Sequence, residues 1–219
     1  MFTGIVTHIG RVRRVVPASR AGGDTRLEIE AGFDLASVPI GASIACAGCC
    51  LTVIEKGRGW FAVQASAETM GKTTLGDWQA GAKINLERPL KIGDELGGHI
   101  VAGHVDGVGR LVSCRGEGAS IRLVFAAPRA LGRFIASKGS VAVDGVSLTV
   151  NDVADKGKET LFGVNVIPHT SKITTLGALR PGGGANLEID MLARYGARLA
   201  KATGRTPGAG RGKAKRGGR

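Results

Sequence analysis

A thirteen-residue stretch occurs twice in this chain. Gly41-Ala-Ser-Ile-Ala-Cys-Ala-Gly-Cys-Cys-Leu-Thr-Val53 returns as Lys138-Gly-Ser-Val-Ala-Val-Asp-Gly-Val-Ser-Leu-Thr-Val150, which matches Ser43 with Ser140, Gly48 with Gly145, Cys50 with Ser147 and Thr52 with Thr149. The echo continues downstream, where Thr73-Thr-Leu-Gly76 recurs as Thr174-Thr-Leu-Gly177 and Asn85-Leu-Glu87 as Asn186-Leu-Glu188. The offset drifts only from 97 to 101 residues, so insertions between the copies are small. That period is too long for a solenoid, whose units run roughly 20–50 residues. The chain is a duplicated domain, and halves of about 95 residues lie near the small end of the globular range.

Short apolar runs separated by glycine dominate both halves, and 36 Gly against one Tyr and two Trp suits turns joining strands. In the first half the predicted strands run from Gly4 to Val16, Thr25 to Glu30, Ser43 to Ala45, Cys50 to Ile54, Trp60 to Ala65 and Lys83 to Glu87, with a helical turn within 68–76. The second half repeats the order, with Gly103 to Cys114, Ser120 to Phe125, Ser140 to Val143, Val146 to Val153, Leu161 to Ile167 and Ala185 to Ile189. Six antiparallel strands left open would expose an edge to pairing, and closure removes it. The expected fold is all-β, two tandem six-stranded antiparallel Greek-key barrels over 1–96 and 97–189, followed by a C-terminal helix over 190–203. Asp190 is placed to cap that helix and Gly204 to stop it, and Met191, Leu192, Tyr195 and Leu199 form an apolar stripe suited to oligomerisation or to docking on its own barrel.

The formal charge of +12 raises the question of nucleic acid, but half of the excess sits in residues 204–219, which hold six cations and no acid. With glycine throughout and no large apolar residue, that tail is expected to be disordered and solvated, and nucleic acid is not the expected partner. No apolar run approaches the roughly 18 residues of a membrane span, and the N-terminus lacks the basic start and apolar region of a leader. Four cysteines without framework spacing fit reduced thiols in the cytoplasm.

The densest chemistry lies at the junction of the halves, in Gly97-Gly-His-Ile-Val-Ala-Gly-His-Val-Asp106. Its glycines allow close backbone approach to a ligand. His99 and His104 are five apart and would face opposite sides of an extended strand, and no cysteine spacing supplies a metal pair, so no metal is expected. Ser43, Thr52, Ser147 and Thr149 are ordinary strand hydroxyls one at a time; their placement at matched points of both copies points to two related polar pockets.

Five segments in order, Met1-Phe-Thr-Gly-Ile-Val6, Gly48-Cys-Cys-Leu-Thr-Val53, Gly97-Gly-His-Ile-Val-Ala-Gly-His-Val105, Asp144-Gly-Val-Ser-Leu-Thr-Val150 and Ile167-Pro-His-Thr170, together resemble the riboflavin synthase (alpha chain) family over about residues 1–200. The resemblance implies a dismutation of two molecules of 6,7-dimethyl-8-ribityllumazine, with no cofactor. One donates a four-carbon unit to the other, giving riboflavin and 5-amino-6-(D-ribitylamino)uracil. It also implies homotrimers whose working site joins the N-terminal barrel of one chain to the C-terminal barrel of a neighbour, and association with lumazine synthase. The rival reading is a lumazine- or flavin-binding antenna protein with the same barrels and no chemistry.

By the same resemblance Ser43, Cys50, Thr52, Gln64 and Ser66 line the N-barrel pocket, with Cys50 and Ser43 delivering or positioning the nucleophile. His104, Ser147, Thr149, Asn165 and Ile167 line the C-barrel pocket, with His104 handling the proton. Phe2 shapes the site, Lys138 and Asp144 support it, and Gly4, Ile5, Val6, Gly103 and Val105 complete the substrate contacts. Ala47 stands where the family usually places Asn, and His169 where some relatives hold Glu.

Overall fold

Alternating side chains become strand pairing in both halves. The structure is a computed structural model and describes residues 1–20 and 22–203. In the first half β1 (His8–Val16), β2 (Thr25–Glu30), β3 (Ser43–Cys46), β4 (Cys49–Gly57), β5 (Trp60–Ala65) and β6 (Lys83–Glu87) close a barrel in the order β1-β2-β5-β4-β3-β6. In the second, β7 (Gly107–Glu117), β8 (Ser120–Pro128), β9 (Ser140–Val143), β10 (Val146–Lys156), β11 (Glu159–Val166) and β12 (Gly184–Ile189) close another in the equivalent order. Short helices α1 (Ala67–Lys72) and α3 (Pro168–Ile173) occupy matching places, α2 (Arg129–Gly132) has no counterpart, and α4 (Met191–Ala202) follows the second barrel. The expected disordered tail and the stop at Gly204 lie outside the described residues.

Both barrels are packed solid. Val12, Leu27, Ile29, Ile44, Leu51, Val53, Phe61, Val63 and Leu86 fill the first, and Leu111, Leu123, Phe125, Val141, Leu148, Val150, Phe162 and Leu187 fill the second. A ligand the size of a fused bicyclic ring has no room inside either, so the alternate, outward-facing residues of the strands carry any binding surface.

The repeated hairpin is the contact between the barrels. Ala47-Gly48 and Asp144-Gly145 turn with φ of +45°, +79°, +46° and +78°, the left-handed pair of a tight two-residue hairpin. The turns meet backbone to backbone: a Cβ on Gly48 would lie 2.6 Å from the Gly145 nitrogen, and one on Gly145 2.8 Å from the Gly48 nitrogen. Reciprocal asparagines lock this seam. Asn85 Nδ2 donates to the Asp144 carbonyl at 2.9 Å while its Oδ1 accepts from Thr175 N at 2.8 Å; Asn186 Nδ2 donates to the Ala47 carbonyl at 2.9 Å while its Oδ1 accepts from Thr74 N at 2.8 Å. The repeated Asn-Leu-Glu and Thr-Thr-Leu-Gly strings are thus two halves of one pseudo-twofold joint.

The expected strand starts at Gly4 and Gly103 are corrected here. β1 begins at His8 and β7 at Gly107, because the residues before each leave their own barrel and cross to the other. Phe2 and Val101 pair at the crossing, with Phe2 N donating to the Val101 carbonyl at 2.8 Å and Val101 N to the Phe2 carbonyl at 3.1 Å. Beyond it Val6 is buried in the core of the second barrel, and Val105 packs against the core of the first. We call these exchanged segments straps.

Asp144 also departs from expectation. It is sealed in the seam, where its Oδ1 accepts from Asn186 N at 2.8 Å. Burial raises its carboxyl from the ordinary 3.8 to about 7, against the lowering effect of the Asn186 N–H. Folded chain therefore holds this proton more tightly than unfolded chain, and the contribution of Asp144 to stability is lost as pH rises through that window. Urea unfolding at about pH 5 and about pH 8 should show a loss of a few kcal/mol in the wild type that Asp144→Asn, which keeps the oxygen acceptor, removes. Equal pH slopes in the two proteins would assign the loss elsewhere.

Candidate functional site

On the outer face of the first barrel, β3 and β4 set Ser43 opposite Thr52 and Ala45 opposite Cys50. The β4–β5 register has Val53 opposite Val63, which carries Gln64 beside Thr52 and brings Ser66 next to Cys50. The second barrel repeats the ladder: Ser140 opposite Thr149, Ala142 opposite Ser147, and, from Val150 opposite Val164, Asn165 beside Thr149 and Ile167 beside Ser147. Each barrel therefore presents a small polar platform whose reverse side is its own packed core.

The straps build the walls, and they do so crosswise. Cys50 N donates to the Gly103 carbonyl at 2.8 Å, and Ser147 N donates to the Gly4 carbonyl at 2.8 Å. Both glycines are required, with φ of +81° at Gly103 and +76° at Gly4, and a Cβ on either would stand 2.6 Å from the Cβ of Cys50 or Ser147. Cys50, Gly103, His104 and Val105 then line a pocket of about 260 Å3, closed on one side by Glu68, Thr69 and Lys72 of α1. The assignment of His104 to the C-barrel pocket is corrected accordingly: it follows Gly103 over the first barrel and sits with Cys50. Ile5 occupies the equivalent place beside Ser147, exposed like Ile167.

Other expected residues fall less directly on the site. Phe2 is fully buried with Ala45, Val101 and Ala142, beneath Gly103, so it supports the pocket from below and does not face it. Val6 is likewise a core residue. Lys138 is exposed at a turn with φ of +66°, in the place Gly41 takes in the first copy, and its N–H donates to the Val150 carbonyl at 2.7 Å. The Ser66 hydroxyl caps α1, accepting from Thr69 N at 3.2 Å. His169 lies exposed on α3.

His99 belongs to the densest candidate segment but was not among the expected pocket residues. His99 Nδ1 lies 2.7 Å from Ser147 Oγ, and its Nε2 is buried without a hydrogen-bond partner among the described residues. Burial lowers its pKa, an effect partly offset by Asp190, so the imidazole favours its neutral form. A neutral ring against a hydroxyl can accept its proton and leave the oxygen more nucleophilic. The signal was the Gly97-Gly-His99 run, but the partner lies 48 residues away and spacing alone does not reveal it. Cys46 and Cys49 are buried, and burial raises both thiols, that of Cys49 to about 12; Cys49 and Cys50 both line the pocket, and Cys50 is the more exposed of the two.

Comparison with known proteins decides between these geometries and their possible owners. The lumazine binding domain family matches residues 3–89 and again 102–190. Riboflavin synthase from Brucella abortus is 50% identical over 206 residues, 92% of this chain and 98% of that protein. The chain belongs to the riboflavin synthase family. Riboflavin synthase from Mycobacterium tuberculosis is 39% identical over 93% of this chain and all of its own length. Among solved structures, LumP complexed with 6,7-dimethyl-8-(1'-D-ribityl) lumazine superposes with a TM-score of 0.74 at 25% identity, covering 86% of this chain and 98% of that one. LumP complexed with riboflavin gives 0.75 at 26% identity. The two matched segments of the lumazine binding domain family begin at Thr3 and Ala102, the strap residues themselves, so each repeat unit includes the segment it lends to the other barrel. Among the described residues no helix is long and apolar enough to cross a membrane.

Proposed function

We propose that the chain is a riboflavin synthase that converts two molecules of 6,7-dimethyl-8-ribityllumazine into riboflavin and 5-amino-6-(D-ribitylamino)uracil. The supporting observation is the pair of equivalent polar platforms, each carrying a ribityl-sized ladder of hydroxyl and amide groups and each approached by a histidine. Atoms balance in this reaction without an external reagent, since one lumazine gives up four carbons and the other gains them. The donor ring must lose a proton from its C7 methyl, where the charge spreads over the ring system, and the acceptor must take a nucleophile at its C7. Cys50 and His104 on one platform, and Ser147 with His99 on the other, supply groups of both kinds.

Two substrates need two platforms face to face. The N-terminal platform of one chain opposed to the C-terminal platform of a neighbour would stack the rings, and holding reactants in one geometry is worth up to about 7–11 kcal/mol of barrier. A homotrimer fits the amphipathic α4, on which Leu192, Tyr195 and Leu199 stand exposed on the single chain. Asp190 caps this helix by accepting from Leu192 N at 2.9 Å. The LumP likeness favours a second reading, a lumazine or flavin carrier without turnover. Purified protein given 6,7-dimethyl-8-ribityllumazine alone should accumulate riboflavin fluorescence with loss of two lumazines per riboflavin; tight binding with no product would select the carrier.

A further inference from the structure

Each barrel ends in the same Asn-Leu-Glu string, and the glutamate that closes it is buried against a strap. Glu87 Oε1 accepts from Thr3 N at 2.7 Å and from the Thr3 hydroxyl at 2.9 Å, and Oε2 accepts from Gly4 N at 3.1 Å. Glu188 Oε1 accepts from Ala102 N at 2.7 Å and Oε2 from Gly103 N at 2.9 Å. Burial raises the pKa of both carboxyls, and the N–H groups of the strap, those of Ile5 and His104 included, act against that rise. Neither glutamate is ion-paired with Lys or Arg among the described residues.

A buried carboxylate without a cation is costly unless several donors converge on it. Here the donors are successive backbone N–H groups, a concave arrangement that suits an anion, and charge-assisted bonds of this kind are about twice as strong as neutral ones. On its other edge each strap is gripped through its glycine carbonyl, by Cys50 N or by Ser147 N. The strap is thus clamped on both sides within one residue of the side chain it delivers, His104 to the first platform and Ile5 to the second.

We propose that Glu188 and Glu87 are positioning residues, Glu188 setting His104 over Cys50 and Glu87 setting Ile5 over Ser147. The assignment rests on the riboflavin synthase reading for its activity test. Glutamine at either position keeps the shape but turns an NH2 toward a backbone N–H, which displaces the strap. Misplacement of about 1 Å can cost on the order of 10²-fold in rate. Glu188→Gln should lower kcat about 10- to 100-fold while changing KM less, as expected when orientation is lost. The decisive comparison uses His104→Gln as background. There Glu188→Gln should have an effect of under about 2-fold, because the side chain it orients is gone, whereas Glu87→Gln should keep its full effect.

A merely structural glutamate would slow both backgrounds equally, and equal slowing overturns the proposal. Where Glu188→Gln does not fold, Glu188→Asp, which keeps the charge but withdraws it by one methylene, carries the same comparison. If the wild-type chain makes no riboflavin, the functional reading fails separately, and riboflavin titration then tests the clamp: Glu188→Gln should weaken binding about 10-fold in the wild-type background and not in His104→Gln, and equal weakening in both overturns it.

Discussion

Alanine at Gly48 is expected to lower the melting temperature by on the order of 10 °C, and alanine at Gly145 by about as much. Two costs add. A Cβ in a left-handed backbone costs roughly 1–2 kcal/mol, and a Cβ forced against a close-packed neighbour costs about 1–3 kcal/mol more. At Gly48 the neighbour is backbone, the Gly145 nitrogen at 2.6 Å, so no side chain can rotate away and the barrels themselves must separate. Separation would strain the four asparagine hydrogen bonds that span the seam. Gly59 and Gly118 supply the control, since both have positive φ with no atom near the added Cβ. Their alanine variants should show the conformational cost alone, a shift of a few degrees. Equal melting temperatures for Gly59→Ala and Gly48→Ala would mean that the turn contact contributes nothing to holding the barrels together.

The architecture was legible because duplication constrains more than propensity does. Once Ser43 aligned with Ser140 and Leu51-Thr-Val53 with Leu148-Thr-Val150, six strands in one half demanded six in the other, and edge closure led to two barrels. The outward ladder was legible too, since Cys50 and Thr52 alternate with Leu51 and Val53. What the sequence did not disclose was the exchange. Gly4-Ile-Val6 reads as the start of a strand whether it pairs with its own barrel or reaches the other, because local alternation carries no information about which core receives Val6. His104, which the resemblance placed with its own half, follows the same exchange. The family resemblance put Asp144 among the supporting polar groups of the site, yet the left-handed turn that it shares with Gly145 sets it in the seam. α3, the counterpart of α1, carries no comparable start signal, since Ile167 stands where α1 has the Ser66 cap and makes no side-chain cap.

Turnover by His104→Gln should fall by about 10²–10⁴-fold, the range associated with loss of a positioned acid–base group. The argument is geometric. The strap places the imidazole in the pocket with Cys50, the less buried of the two thiols that line it, and among the described residues no other histidine lines that cavity. Glutamine preserves hydrogen-bonding capacity and approximate length but cannot take up a proton near neutrality, so binding should survive while the proton step does not. His104 is exposed and outside both cores, and stability should change by no more than about 0.5 kcal/mol. Steady-state riboflavin formation beside a thermal melt reads both quantities. Ser147→Ala on the opposite platform provides the complement: it removes the hydroxyl held 2.7 Å from His99 Nδ1 and should slow turnover with His104 still in place. On the proposed two-platform reaction the two residues serve different substrates of one encounter, and their losses should multiply in the double variant only if each acts on its own ring. Near-wild-type turnover by His104→Gln would transfer the proton step to the Ser147–His99 pair, leaving the first platform to bind and orient the acceptor.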